Sequence, residues 1–395
     1  MKPNRELKVE LILGGKWKSM QTKLQQLSKR LQSLDPAPLS VAIGFDGFVD
    51  EIVEVVDRRE SFESYTRMTE MRQFGERISK AAGLSTNIEF VSKTMKLGGN
   101  GPIMGNALVK AGTSVSYIGS LGKPNVHPVF TELTDACNRV FSIAEPGHTD
   151  AVEFDDGKIM LGKMESLGDV NWATLQREVG DEELRKIFSG ADLVATVNWT
   201  MTPYMNEIWE GLLEIINPHP TGHRPFFFVD LADPSKRSPE DISEALDVIS
   251  RFSAYYRVIL GLNRKEASEI ATVRGLKLSK PVEEAGLEEI VRALGEDLGL
   301  WCLLVHPTYE AGAYVDGEYY YIEGPFTSKP RLTTGAGDNF NAGFCLGLML
   351  QLGVEESLAM GKATSGFYVR HMHSPSREQL IEFISLWADR VGQEF

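Results

Sequence analysis

From residue 181 onward, apolar segments of helical period and of strand period alternate almost without a break. Helical patterns fall at 181–189, 204–216, 239–252, 264–273 and 283–296. Between them, short runs rich in Val, Ile, Leu and Phe at 192–197, 225–230, 257–260 and 301–305 read as buried strands. Strands at 311–315 and 318–322 and helices near 338–352, 355–370 and 376–391 complete the chain. Alternation of this kind predicts an α/β fold with a parallel sheet covered by helices.

The first half is less regular. Val41–Phe45 reads as a buried first strand, with Phe48–Val56 as its irregular continuation. Residues 60–82 read as helical and Ile88–Met95 as a strand. A helix near 102–111, a strand at 114–118, a helix at 128–137 and strands near 139–144, 150–155 and 158–163 follow. The strands near 50–56, 88–95 and 140–163 do not fit the alternation and are expected to form a separate small sheet. Residues 16–34 form an amphipathic helix, with Trp17, Met20, Leu24, Leu27, Leu31 and Leu34 three or four apart. It is expected to pack on the domain's own surface, and Asp35-Pro36-Ala37-Pro38 stops it.

Composition narrows the function classes. A net charge of −14 argues against a surface built for nucleic acid or an anionic membrane, though not against a nucleotide substrate. Cys137, Cys302 and Cys345 are few, far apart and without metal-ligand spacing, as in reduced cytosolic proteins. The apolar run before Gly14-Gly15 is too short for a secretion signal, and no later run reaches a membrane span. A soluble, cytoplasmic protein is expected.

The most informative chemistry lies in Thr333-Thr334-Gly335-Ala336-Gly337-Asp338-Asn339-Phe340-Asn341-Ala342-Gly343-Phe344. Two glycines around a small residue allow a sharp turn and close approach to a ligand. The apolar helical pattern that follows places the turn's amides at a helix N-terminus, suited to an anion. Asp338 stands beside them, able to take a proton from an attacking hydroxyl. Donors for a moving phosphoryl group and a base on the nucleophile are what phosphoryl transfer needs. The plainer alternative is a loop with an Asp capping a helix. Gly343 and Gly347 read as close-packing positions.

This motif resembles the C-terminal signature of the ribokinase-like (PfkB) carbohydrate kinases, Asp-Thr-x-Gly-Ala-Gly-Asp-x-Phe-x-Ala-Gly, with Leu332 in place of the leading Asp. The resemblance implies that Asp338 is the catalytic base and that Gly335, Ala336 and Gly337 form an anion hole. Asn263-Arg264-Lys265-Glu266 is similar to the family's Asn-x-x-Glu, which implies Asn263 at the nucleotide and Glu266 organising Mg2+ through its waters. Asp233-Pro234-Ser235-Lys236-Arg237 resembles a family loop in which Lys236 or Arg237 could touch phosphate. Gly98-Gly99 reproduces the spacing of the first signature, with Ile103 at its Asn position, so Asn100 or Asn106 is expected to bind sugar instead. Asp50, with Asp46 upstream, resembles the acceptor-binding Asp at the end of the first strand.

The fold implied is a three-layer α/β/α sandwich with a small β-sheet lid. Residues 1–39 would be an N-terminal helical extension and 40–395 the kinase domain, with lid segments at about 50–97 and 139–165. The segment between Asp57 and Ile88 is expected to insert a helix into the lid. The activity implied is ATP- and magnesium-dependent phosphorylation of a hydroxyl on a sugar-like molecule. Thr333, Thr334 and Thr364 are candidate nucleotide contacts, the adenine pocket is placed near Thr364 and the His371–Pro375 turn, and a homodimer through the lid is the expected partner arrangement. No monovalent-cation requirement is carried over, because Leu332 departs from the pattern. His148, Asp150 and Glu153 are read as a dimer contact or plain lid surface, with acceptor contact as the alternative; His306 departs from the family's Thr without an evident reason. Two other readings share the fold: an ADP-dependent sugar kinase, suggested by Gly98–Met104, and a sugar- or nucleotide-binding protein without turnover, suggested by Leu332, Ile103 and Ser235.

Overall fold

The computed structural model describes the backbone of residues 3–219 and 221–395, with side chains from Trp17 onward. Its strands are β1 (Ser40–Phe45), β2 (Phe48–Arg59), β3 (Tyr65–Arg67), β4 (Phe90–Gly98), β5 (Ser114–Gly119), β6 (Arg139–Ser142) and β7 (Gly147–Phe154). They continue as β8 (Gly157–Lys163), β9 (Leu193–Val197), β10 (Phe226–Asp230), β11 (Arg257–Leu262), β12 (Cys302–Val305), β13 (Glu310–Val315) and β14 (Glu318–Glu323). Among the described residues, nine strands form one sheet in the order β14-β13-β12-β11-β10-β9-β1-β5-β6. From β12 to β6 every pairing is parallel, while β13 and β14 add an antiparallel edge.

Strand periodicity divides the core in two. Val41 and Ile43 of β1, Leu193, Ala195 and Val197 of β9, and Phe226 and Phe228 of β10 face one side, against the helices Asn100–Lys110, Ala336–Met349 and Val354–His371. Their neighbours Ala42, Val194, Phe227 and Val229 face the other side, against the helices Asp181–Gly190, Met205–Ile215 and Pro239–Arg251. Side chains that alternate along each strand thus bury both faces, which gives the three layers.

A second sheet stands apart, with β2 pairing to β3, β4 and β7, and β7 to β8. It has its own small core of Val53, Val55, Met68, Phe74, Val152 and Phe154. Phe74 comes from the helix Met71–Lys80, so the lid does carry an inserted helix. That helix is shorter than the 60–82 pattern. The amides of Glu60 and Ser61 both donate to Ser64 O at 3.0 and 3.1 Å, a turn that leads into β3 instead. A further difference concerns residues 139–144. β6 pairs in parallel with β5 and belongs to the main sheet, so the second lid segment starts after it. As a half-buried edge strand, β6 lacks the continuous apolar run that marks the central strands. The helix Trp172–Glu178 was not anticipated.

The amphipathic N-terminal segment belongs to one long helix, Pro3–Ser33. Leu24, Leu27 and Leu31 are buried with Leu380, Ile384 and Trp387 of the C-terminal helix Arg377–Asp389. Arg377 donates to the carbonyls of Leu31, Gln32 and Leu34 at 3.0, 3.1 and 2.8 Å, satisfying acceptors that every helix C-terminus leaves open. Met1 and Lys2, part of the segment considered as a secretion signal, lie outside the described residues. No helix among the described residues is long and apolar enough to cross a membrane. Because this helix is a packed part of the domain, Leu27→Ala is expected to lower unfolding free energy by about 2–5 kcal/mol, read by urea denaturation. A change below about 0.5 kcal/mol would mean that the helix is only loosely attached.

Candidate active site

The parallel strands end on one edge of the sheet, and five of them bring a polar residue there: Asp46 after β1, Asn198 after β9, Asp230 at the end of β10, Asn263 after β11 and His306 after β12. Such an edge is where ligands bind in open α/β sheets. A cleft of about 660 Å³ runs along it. Its walls include Asp50, Gly99, Asn100, Asn263, Glu266, Thr333, Ala336, Gly337 and Asp338, so much of the expected site converges there.

The glycine turn is built as its sequence requires. Gly335 is the residue before the helix Ala336–Met349 and has φ of 88°, and a Cβ there would lie 2.8 Å from the Tyr368 hydroxyl. The Ala336 amide donates to Thr333 O at 3.1 Å and that of Asn339 to Gly335 O at 3.1 Å. The Ala336 donor is therefore spent, which corrects the expectation of a Gly335–Gly337 anion hole. The first-turn amides of Gly337 and Asp338, which have no acceptor within the helix, are the ones left at the cleft.

Asp338 opens on the cleft yet is ringed by protein. Desolvation first, then repulsion from Asp230 and Asp46, holds its carboxyl well above the ordinary Asp value. Asp230 is likewise raised, by burial and then by the charge of Glu266. It accepts from the Ala232 amide at 2.8 Å and from Asn341 Nδ2 at 2.9 Å, which ties the helix carrying Asp338 to β10. Glu266 is buried, and that burial raises its proton affinity. Its oxygens accept from the Asn263 amide at 2.8 Å, Asn263 Nδ2 at 2.6 Å and the Asp233 amide at 3.2 Å. Asn263 and Glu266 are thus a reciprocal helix cap that also faces the cleft.

Across the cleft, Asp50 on the lid is raised chiefly by burial. A Cβ on Gly98 would lie 2.4 Å from its carboxyl carbon, so Gly98 makes room for Asp50. Asp46 differs from its expected role. It is fully buried, accepting from the amides of Asn100 and Gly101 at 2.9 and 2.8 Å and from Asn198 Nδ2 at 2.7 Å. Burial pushes it up to about 6. It holds the N-terminus of the Asn100–Lys110 helix and lies behind the cleft wall.

Other expectations are also corrected. Asn106 lies well inside that helix and is not in the cleft wall. Thr364 donates to Met360 O at 2.8 Å and packs on Gly343, while its neighbours Ser365 and Gly366 reach the cleft. The His371–Pro375 turn is outside the wall, with His371 stacked on Phe367 at 4.1 Å. Arg237 sits over the Trp199 ring at 4.7 Å and donates to the carbonyls of Trp199 and Thr202, leaving Lys236 as the basic residue of that loop at the cleft. His148 and Asp150 pair with each other at 2.9 Å outside the cleft wall, as does Glu153 lie outside it, and Thr149 between them lines it.

Sequence reasoning missed Asn198, Asp230, Asn341, Lys362 and Lys158. The first two carried a signal, a polar residue directly after an apolar strand run. Lys362 is buried and donates to the carbonyls of Pro307 and Thr308 at 2.6 and 3.2 Å, holding the His306–Tyr309 loop. Burial pushes it down to about 7. His306 stacks on Phe340 at 4.7 Å and is pushed down to about 3 by burial, so it is neutral, and its Nε2 has no protein partner. Lys158 of β8 reaches across from the lid to donate to the Thr334 hydroxyl.

Solved structures show the same architecture. Escherichia coli phosphofructokinase-2 in complex with substrates and products matches 89% of this chain and 99% of its own, at a TM-score of 0.60 and 14% identity. Arabidopsis thaliana ribokinase complexed with ribose and ATP matches 88% and 99%, at 0.58 and 17%. The fold is therefore that of the ribokinase-like (PfkB) carbohydrate kinases. The model of the prokaryotic ketohexokinase family matches residues 22–387. A ketohexokinase of Haloferax volcanii is 30% identical over 351 residues, 88% of this chain and 92% of that protein. The chain belongs to the prokaryotic ketohexokinase family and is a carbohydrate kinase.

The crowding of carboxylates has a thermodynamic consequence. A carboxyl whose proton affinity is higher folded than unfolded makes the folded state bind more protons. Stability then falls as pH rises from the ordinary Asp value through the raised one. Asp338→Asn removes that penalty and is expected to raise the melting temperature of the unliganded protein by about 2–4 °C at neutral pH. The gain should shrink toward pH 4 and vanish below about pH 3, where Asp338 is protonated in both the folded and the unfolded chain. An equal gain at both pH values would show that the charge is not its source.

Proposed function

We propose that the protein transfers the γ-phosphoryl group of ATP, with magnesium, to a hydroxyl of a ketohexose. The observation that carries this reading is the juxtaposition of Asp338 with two unspent helix amides, opposite Asp50 in the same cleft. The names of the family and of the Haloferax volcanii relative supply the acceptor class.

Asp50, with Asn100 and Asn198, holds the acceptor by accepting from and donating to its hydroxyls. Asp338 receives the proton of the attacking hydroxyl, and its raised proton affinity suits it to that step. The amides of Gly337 and Asp338 face the developing phosphoryl charge, and Lys158 adds a positive charge when the lid is down. Tyr309 and Phe326, exposed rings 5.4 Å apart in the cleft wall, offer apolar faces to a nucleobase, and Lys236 a cation to its phosphates. Asp230, Asp233 and Glu266 are hard oxygen donors whose mutual repulsion a divalent cation would relieve, so the residues fit magnesium. Both Glu266 oxygens already accept protein N–H bonds, which favours contact through metal-bound water. A magnesium ion held there would supply positive charge against that of the phosphates.

The test is nucleotide consumption with magnesium over ketohexoses, aldohexoses, sugar phosphates and nucleosides, with ATP and ADP compared as donors. Asp338→Asn is expected to lower kcat roughly 10²–10⁴-fold while nucleotide affinity stays nearly intact, and a variant within about threefold of wild type would overturn the assignment. Lys158→Met is expected to lower kcat by roughly 10²-fold with little change in ketose KM. A change confined to KM would make Lys158 a binding residue only.

A further inference from the structure

Opposite the cleft, the loop leading into β10 carries His219-Pro220-Thr221-Gly222-His223, and Asp192 stands just before β9. One ring nitrogen from each histidine and one Asp192 oxygen all lie within 4.8 Å of one another. We propose that Asp192, His219 and His223 form a binding site for a divalent transition metal of the zinc type.

Three observations support it. The spacing of two histidines with three residues between them is a common zinc-ligand spacing. His223 Nε2 lies 3.6 Å from Asp192 Oδ1, too long for a hydrogen bond. It is close to the ~3.3 Å that separates two ligand atoms on one tetrahedral zinc with bonds of ~2.0–2.1 Å. The supporting contacts are also in place. Asp192 Oδ2 accepts from the Ser40 amide and hydroxyl, both at 2.8 Å, which leaves Oδ1 turned to the histidines. The Thr221 hydroxyl meets Nδ1 of both rings, at 2.8 Å for His219, so Nε2 of His223 is the nitrogen left for a metal. His219 Nε2 lies 3.3 Å from Gly190 O and its Nδ1 accepts from the Thr221 amide at 3.3 Å, so this ring would exchange one of those bonds for the metal.

The donor set separates this site from the kinase metal, since imidazole nitrogens select zinc, nickel or copper over magnesium. His223 is exposed, giving an entry path and room for a water as fourth ligand. Among the described residues, a second cluster of this kind, Glu51, His148 and Asp150, is already engaged by Lys163 at 2.9 Å from Asp150. A metal at Asp192 would tie the loop before β10 to the start of β9 and, through Ser40, to the start of β1. Its effect would therefore be on stability, with the cleft untouched.

The test uses the full chain without a polyhistidine tag, stripped with chelator and titrated calorimetrically with zinc chloride in magnesium buffer. One equivalent of zinc should bind and raise the melting temperature. Binding and the shift should both be lost in the His219→Asn/His223→Asn pair, whose kinase turnover reports an intact fold. Thr221→Val, which leaves the ligands in place, should weaken binding roughly 10–100-fold. Absence of saturable zinc binding, or binding that survives in the histidine pair or is unchanged in Thr221→Val, would overturn the site.

Discussion

Asp46, Asp230, Glu266 and Asp338 are brought together at one edge of the main sheet, where each bears a desolvation cost and Asp230 and Asp338 are also repelled by the others. Charges so placed persist only where donors surround them. Asp46 has two helix amides and Asn198, Asp230 has an amide and Asn341, and Glu266 has two amides and Asn263. Asp338 is the member held least firmly by protein donors, and it is also the one placed beside unspent amides. Much of the unusual backbone nearby serves this arrangement. Gly99 has φ of 93° and no room for a Cβ beside Asp46 Oδ2, and Ala232 and Asp233 both have φ of 50° where the chain turns around Asp230.

The lid answers a different constraint. Its outer part has its own small core around Phe74 and Val53. It joins the main layers at its root, where Phe48 and Val49 of β2 enter the two main cores, and at the cleft, where Lys158 donates to the Thr334 hydroxyl. An exposed ammonium on a hydroxyl is a weak bond that can break and reform at little cost. Under the proposed function, closure of such a lid over a ligand would bring a positive charge to the glycine turn in the same movement.

What the sequence disclosed follows from how local each signal is. The helix Arg264–Val273 and its Asn263–Glu266 cap lie within four residues of one another, and the strand runs of the parallel sheet are continuous in apolar character. The glycine turn was equally local. β6 and β3 were misread because an edge strand of three or four residues has no periodicity to distinguish it. Asp46 was misassigned because its partners, Asn100, Gly101 and Asn198, are between 54 and 152 positions away. Lys362 and Lys158 could not be found for the same reason. Each is an unremarkable lysine until the fold places it on the His306 loop or across the lid.

His306 brings a buried polar atom without a protein partner to the cleft wall. Burial against Phe340 keeps its ring uncharged, and Nε2 faces no protein partner. Asn198 Oδ1 is in the same position on the opposite side of the cleft. A buried polar atom without a partner costs about 1–3 kcal/mol. Two of them in one cleft, beside carboxylates whose charges already oppose folding, mean that part of the stability of this region is withheld until a ligand supplies the missing bonds. Binding energy of that kind is directional. It rewards a molecule with hydroxyls and phosphates at the right places, and gives little to an apolar one of the same size.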